Sequence, residues 1–183
     1  TLEQVLQSRV VSWPVRVYDC APISDGAACF ILAKPELAKK LSDTRVDIIG
    51  RGFACESILA AEKDYSTVPL SANTHAASDT HRLAGIEPRE IDLAEVHDCF
   101  TIAEIVVTED LGFFEKGKGG AAAENGSTSI GGKIPINTSG GLKSKGHPVG
   151  ATGIAQIIEC YEQLTGNAGE RQVKNAKYGL TQN

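Results

Sequence analysis

Asn137-Thr138-Ser139-Gly140-Gly141-Leu142-Lys143-Ser144-Lys145-Gly146-His147-Pro148-Val149-Gly150-Ala151-Thr152-Gly153 joins two segments of different periodicity. Before it, Ile134-Pro135-Ile136-Asn137 reads as a short strand. After it, Ala151 to Leu164 reads as a helix, with Ile154, Ile157, Ile158 and Tyr161 on one face and Gly166 beyond its end. A connection this rich in glycine exceeds what a turn needs, so its backbone is shaped to approach a ligand closely. Gly141 and Gly146 have the spacing of a nucleotide-binding loop, but His147 and Pro148 stand where Lys and Ser or Thr would hold phosphate and magnesium. That reading fails. His147 instead precedes a rigid proline and a helix N-terminus, a setting that disfavours imidazolium and keeps a neutral base. Lys143 and Lys145 add positive potential for an anionic ligand, or are simply solvated.

A second strand-to-helix turn lies upstream. Ile91 to Val96 is strand-like and Thr101 to Leu111 helical, with Ile102, Ile105 and Val106 at helical spacing and Thr101 with Glu104 as a capping box. Between them stand His97, Asp98, Cys99 and Phe100. A cysteine just before a helix N-terminus and beside a histidine is favoured as thiolate. Read alone, the pair also fits a buried cysteine and a histidine satisfied by backbone.

Working outward, Ser24 to Ala33 reads as a buried strand, Pro35 to Leu41 as a short helix and Val46 to Gly50 as a strand. Asn73 to Ala84 reads as a helix stopped by Gly85, Phe113 to Lys133 as a long loop, and Lys177 to Leu180 as a final strand. Thr1 to Val17 shows no clean period. Such alternation describes an α/β unit with a mixed, mostly parallel sheet covered by helices. His75 and His81, six positions apart on one helix, point about 240° apart and cannot share a metal, so both read as solvated.

The chain has 183 residues, 42% apolar and 5% aromatic, enough for one core of closely packed helices on a sheet. Its net charge of −5 argues against nucleic acid as a general partner, and no apolar run is long enough for a membrane span or a signal peptide. The five cysteines, Cys20, Cys29, Cys55, Cys99 and Cys160, have no zinc or disulfide spacing and read as free thiols in a reducing compartment.

Taken together, His97-Asp98-Cys99-Phe100, Ile130-Gly131-Gly132-Lys133, the Asn137–Gly153 block and Gly169-Glu170-Arg171-Gln172-Val173 resemble the C-terminal half of a thiolase, from Tyr18 onward. Most thiolases carry Asn-Glu-Ala-Phe where this chain has His97 to Phe100, and the version here resembles the sterol-carrier-protein-type thiolases. The resemblance implies a fold of two similar halves, with residues 1–44 ending the first and 45–183 forming the second without its last strand.

It implies acyltransfer with thiolytic cleavage or Claisen condensation of 3-ketoacyl-coenzyme A and acetyl-coenzyme A. His147 would activate the nucleophile, His97 would complete an oxyanion site, and Cys99 would move the α-proton, with Phe100 and Gly146 against the substrate. Coenzyme A thioesters are then substrates, with no bound cofactor and no metal. The partners implied are the N-terminal half of a thiolase and further copies in a homo-oligomer, with no nucleic acid and no membrane, in the cytoplasm or, in a eukaryote, the peroxisome. No cysteine here fits the nucleophile, so the chain alone is expected to be inactive. The alternative is a non-catalytic thiolase-like subunit that stabilises a complex.

Overall fold

The computed structural model describes residues 1–57 and 71–183. Along the chain run α1 (Leu2–Gln7), β1 (Val10–Ser12), β2 (Val15–Arg16), α2 (Pro35–Leu41), α3 (Ser71–Ala84), β3 (Leu93–Glu95) and α4 (Thr101–Asp110). Then come α5 (Gly119–Glu124), α6 (Gly141–Lys145), α7 (Thr152–Leu164) and β4 (Gly179–Thr181). β1 and β2 form an antiparallel hairpin. The element that organises the rest is β3. It pairs in parallel with β4, Ala94 opposite Leu180, and Ala94 bridges in parallel to Ile136 on its other side.

Leu93, Ala94, Glu95 and Val96 are all fully buried, as a central strand of a parallel sheet covered on both faces must be. Alternation then sorts the two faces. Ala94, Val96, Ile136 and Leu180 join Ala77 of α3, Val107 of α4 and Leu111, Phe113 and Ile134 in one apolar core. The opposite face, under α7, is polar. There Thr138 lies 3.3 Å from Glu95 and 3.0 Å from Glu159, and Gln163 donates to Glu159 at 3.0 Å. Arg171 donates to Glu159 at 2.9 Å, so these buried groups answer one another, as burial requires.

That polar layer corrects the reading of α7. Its buried positions are Thr152, Gln156, Glu159, Cys160 and Gln163, while Ile154, Ile157 and Ile158 are half-buried and Tyr161 is exposed. In α4 the core contact comes from Val107, with Leu111 just beyond the helix end, and Ile102 is exposed. Its capping box is absent, because Thr101 donates to Asp19 and Glu104 accepts from Asn137. The expected loop at 113–133 contains α5, and His81 is half-buried, its Nδ1–H donating to the Ile86 carbonyl at 2.8 Å. The unpatterned start holds α1 and the hairpin.

Neither Ser24–Ala33 nor Val46–Gly50 forms a strand. Both run without a ladder partner among the described residues and expose apolar side chains, Ile31 at 90% and Ile48 at 61%. A strand exists only by pairing, so apolar pattern alone does not make one.

Candidate active site

Both loaded turns leave the same end of the sheet, one from β3 and the other from Ile136, where the expected strand at 134–137 is reduced to a single parallel bridge to Ala94. These are carboxyl ends, where α/β folds gather their ligands. Val96–Phe100 carries β3 directly into α4. The longer turn carries Ile136 through α6 to α7. Because Ala94 and Ile136 are bridge partners, the turns emerge side by side, and the His97 and His147 rings meet edge to face, 5.0 Å between centroids at 84°.

A strap that local sequence pattern did not reveal binds them. Cys20 bridges Phe100, and Ala21 N–H donates to the Cys99 carbonyl at 2.9 Å. Two residues on, His147 N–H donates to the Pro22 carbonyl at 2.8 Å, and Ile23 bridges His147. Residues 20–23 therefore touch the backbone of both turns and hold the Cys99 turn beside the His147 loop.

Each ring has a specific neighbour. His147 Nδ1 lies 2.8 Å from Thr152 Oγ1, on the first residue of α7. Burial holds the His147 imidazole below its ordinary range, His97 pushes it the same way, and Asp98 opposes both. The neutral base read from the sequence is retained, with burial rather than the helix end as the leading cause. His97 Nδ1 lies 2.8 Å from Asn183 Oδ1, and its backbone N–H donates to Gln182 Oε1 at 3.0 Å. The segment after β4 thus orients this ring, a contact 86 positions away in sequence that no local motif announces.

Cys99 departs from expectation. Burial pushes its thiol up and Asp98 adds to the effect, while the Phe100 N–H opposes them. A proximal helix N-terminus does not outweigh desolvation here, so the group is held as thiol rather than thiolate. Phe100 occupies the N-cap position of α4 and is 44% exposed at the surface of the site. Gly146 has φ 86°, and the space where a Cβ would project is filled by Ser24. Packing and backbone conformation account for that glycine.

The surrounding residues are more heavily bonded than the sequence suggested. Glu95 accepts from Ser139 N–H at 3.0 Å and Ser139 Oγ at 2.5 Å, and Lys145 Nζ donates to Ser139 Oγ at 2.6 Å. Lys143 Nζ donates to the Cys20 carbonyl. Both lysines are therefore engaged in holding the loop rather than free to attract an anion. Asn137, at φ 52°, accepts from Val96 N–H and donates to Glu104, each at 2.8 Å, tying the two turns at their roots. Among the described residues no cluster of His, Cys, Asp and Glu has metal-holding geometry, and no helix is long and apolar enough to cross a membrane.

Residues 54–183 match the thiolase C-terminal domain-like family. An acetyl-CoA acetyltransferase of Methanothermobacter thermautotrophicus is 49% identical over 183 residues, which is all of this chain and 48% of that protein. Sterol carrier protein 2 of Oryctolagus cuniculus is 41% identical over 187 residues, all of this chain and 34% of that protein. The chain thus spans between a third and a half of the length of these relatives. A solved structure described as an Ltp2-ChsH2(DUF35) aldolase superposes with a TM-score of 0.87 over 99% of this chain and 47% of its own, at 22% identity, a likeness of fold.

Proposed function

We propose, since the chain belongs to the thiolase family, that it forms the acid–base half of a site that breaks or makes the carbon–carbon bond of a 3-ketoacyl-coenzyme A. The observation that carries the reading is the edge-to-face pairing of His147 with His97, the latter on the turn that also bears Cys99. In the thiolytic direction a cysteine thiolate from outside this chain attacks the 3-keto carbon. The bond between the α- and 3-carbons breaks, and its electrons pass to the α-carbon as an enolate whose oxygen is received by the imidazoles. Cys99 then gives its proton to that carbon and leaves as thiolate, releasing acetyl-coenzyme A. A fresh coenzyme A thiol returns a proton to Cys99 and, as thiolate, takes the acyl group from the enzyme cysteine.

A thiol kept protonated by burial is the form this direction requires. His147, neutral at physiological pH, accepts the proton of the enzyme nucleophile. The remaining half of the site, including the nucleophile, belongs to an N-terminal thiolase segment, and the complete enzyme acts on acyl thioesters in the cytoplasm.

The test is coenzyme A-dependent loss of acetoacetyl-coenzyme A by the full-length protein that carries this chain, with His147→Ala alongside. Turnover that disappears in the variant supports the reading. A folded protein that binds coenzyme A yet turns over no 3-ketoacyl thioester would make this a non-catalytic subunit.

A further inference from the structure

We propose that Asp98 is the positioning residue of this site: its carboxylate accepts backbone N–H groups from the opposite turn and thereby sets where His147 stands relative to His97 and Cys99. The resemblance to thiolases gives Asp98 no role, and the sequence offers it only as the residue between a histidine and a cysteine.

The geometry is specific. Asp98 is 2% exposed, a burial that carboxylates tolerate only when answered. Oδ1 accepts from Leu142 N–H at 2.8 Å and Oδ2 from Lys143 N–H at 3.3 Å. Those donors open α6, where backbone N–H groups have no partner within the helix. Among the described residues Asp98 makes no ion pair, so these amides are what hold it. Four residues beyond Lys143 stands His147, so the bonds of Asp98 reach α6 at its first turn while the strap at residues 20–23 holds the loop at His147 itself.

Gly141 confirms the closeness of the approach. Its φ is 61°, and a Cβ there would overlap the Asp98 carboxylate. Gly141 is therefore explained by a carboxylate reached from another turn, while Gly140, at φ 91°, faces Ser144. An amide would fill the same space, but it would not carry the charge. The groups facing Asp98 register that charge: it favours the protonated forms of His147, Cys99 and Glu104 alike. His97 adjoins it in sequence, and Lys143, whose backbone it binds, has its own ammonium engaged at Cys20. One buried carboxylate thus serves as both a mechanical link and a shared electrostatic reference for the residues on both turns.

This inference deepens the proposed function by joining its residues, and its test reads exchange and titration rather than turnover, so the two can fail separately. In the unaltered full-length protein, hydrogen exchange should find the Leu142 and Lys143 amides slowed at least about tenfold relative to free first-turn amides, the lower end of what a bond to a charged acceptor contributes. In Asp98→Asn, which keeps the shape and removes the charge, histidine-labelled NMR should show the His147 imidazole titrating at lower pH than in the parent. Fast exchange at both amides in the unaltered protein overturns the proposal even if no variant folds. A folded Asp98→Asn protein whose His147 titration is unmoved overturns it equally.

Discussion

The two turns that face each other across this site are built by opposite means. The shorter one, Val96–Phe100, is anchored by two buried residues, Val96 and Asp98, each at most 2% exposed, and leads directly from β3 into α4. The longer one, from Thr138 to Ala151, is open, with Val149 67% exposed, and gets its shape from left-handed glycines and from bonds reaching out of its neighbour. Their chemistry diverges in the same sense. Burial raises the thiol of Cys99 on the short turn and lowers the imidazole of His147 on the long one. In the proposed mechanism that separation matters, since it keeps a protonated thiol beside a neutral imidazole.

The largest expected effect comes from removing the long turn's contribution. His147→Ala in the full-length protein should lower turnover by about 10²–10⁴-fold, the usual contribution of a general base, and should slow acylation of the nucleophile by acetyl-coenzyme A as well as cleavage of the 3-ketoacyl thioester. Stopped-flow resolution of the two steps checks this, and loss confined to cleavage would erase the distinction between the turns.

Severing the link between them comes next. Asp98→Asn should cost about 10²-fold in kcat, what a displacement of catalytic groups by an ångström typically costs, with KM little altered. Steady-state kinetics will show whether the effect falls on kcat or on KM.

A smaller effect concerns pH. His147 must be neutral to accept a proton and its imidazole is depressed, so activity should fall only as pH drops through a value below the ordinary imidazole range. Cys99 must be a thiol to donate and its ionisation is raised, so thiolysis should persist above the ordinary thiol range. The pH profile of kcat/KM should therefore be a broad bell, and a narrow one would show that burial does not separate the two groups.

Smallest is Cys160, buried under β4 with its thiol pushed up to about 12. Alkylation of the native protein should reach the exposed Cys29 and Cys55 and spare Cys160. Cys160→Ala should cost about 1 kcal/mol in stability and nothing in turnover, measured by denaturant titration beside the assay.

Which residues meet at the two turns is more legible in the sequence than the contacts that hold them there. His97 and His147 were legible because strand, turn and helix succeed one another within a few residues, and local pattern carries that information. The strap at residues 20–23, the Asn183 contact to His97 and the Asp98 link were not, since each joins residues more than 40 positions apart. Cys99 was placed correctly and its ionisation misread, because helix termini can be seen in sequence and burial cannot. The segments at 24–33 and 46–50 show the converse limit: small apolar residues in the first and β-branched ones in the second suit strands, and the ladder that would make them strands is not supplied by the described residues. In α7 a polar network around Glu95 occupies the inner face, so its isoleucines, the natural choice for a core, lie toward the surface.

Cys99→Ala in the full-length protein separates the work of the two turns, with acylation by acetyl-coenzyme A and cleavage of the 3-ketoacyl thioester each followed by rapid quench. Acylation of the nucleophile by acetyl-coenzyme A, which moves no α-carbon proton, should stay close to the parental rate, while cleavage of the 3-ketoacyl thioester should fall by about 10²–10⁴-fold. Equal loss of both steps, or no loss in either, would contradict this separation.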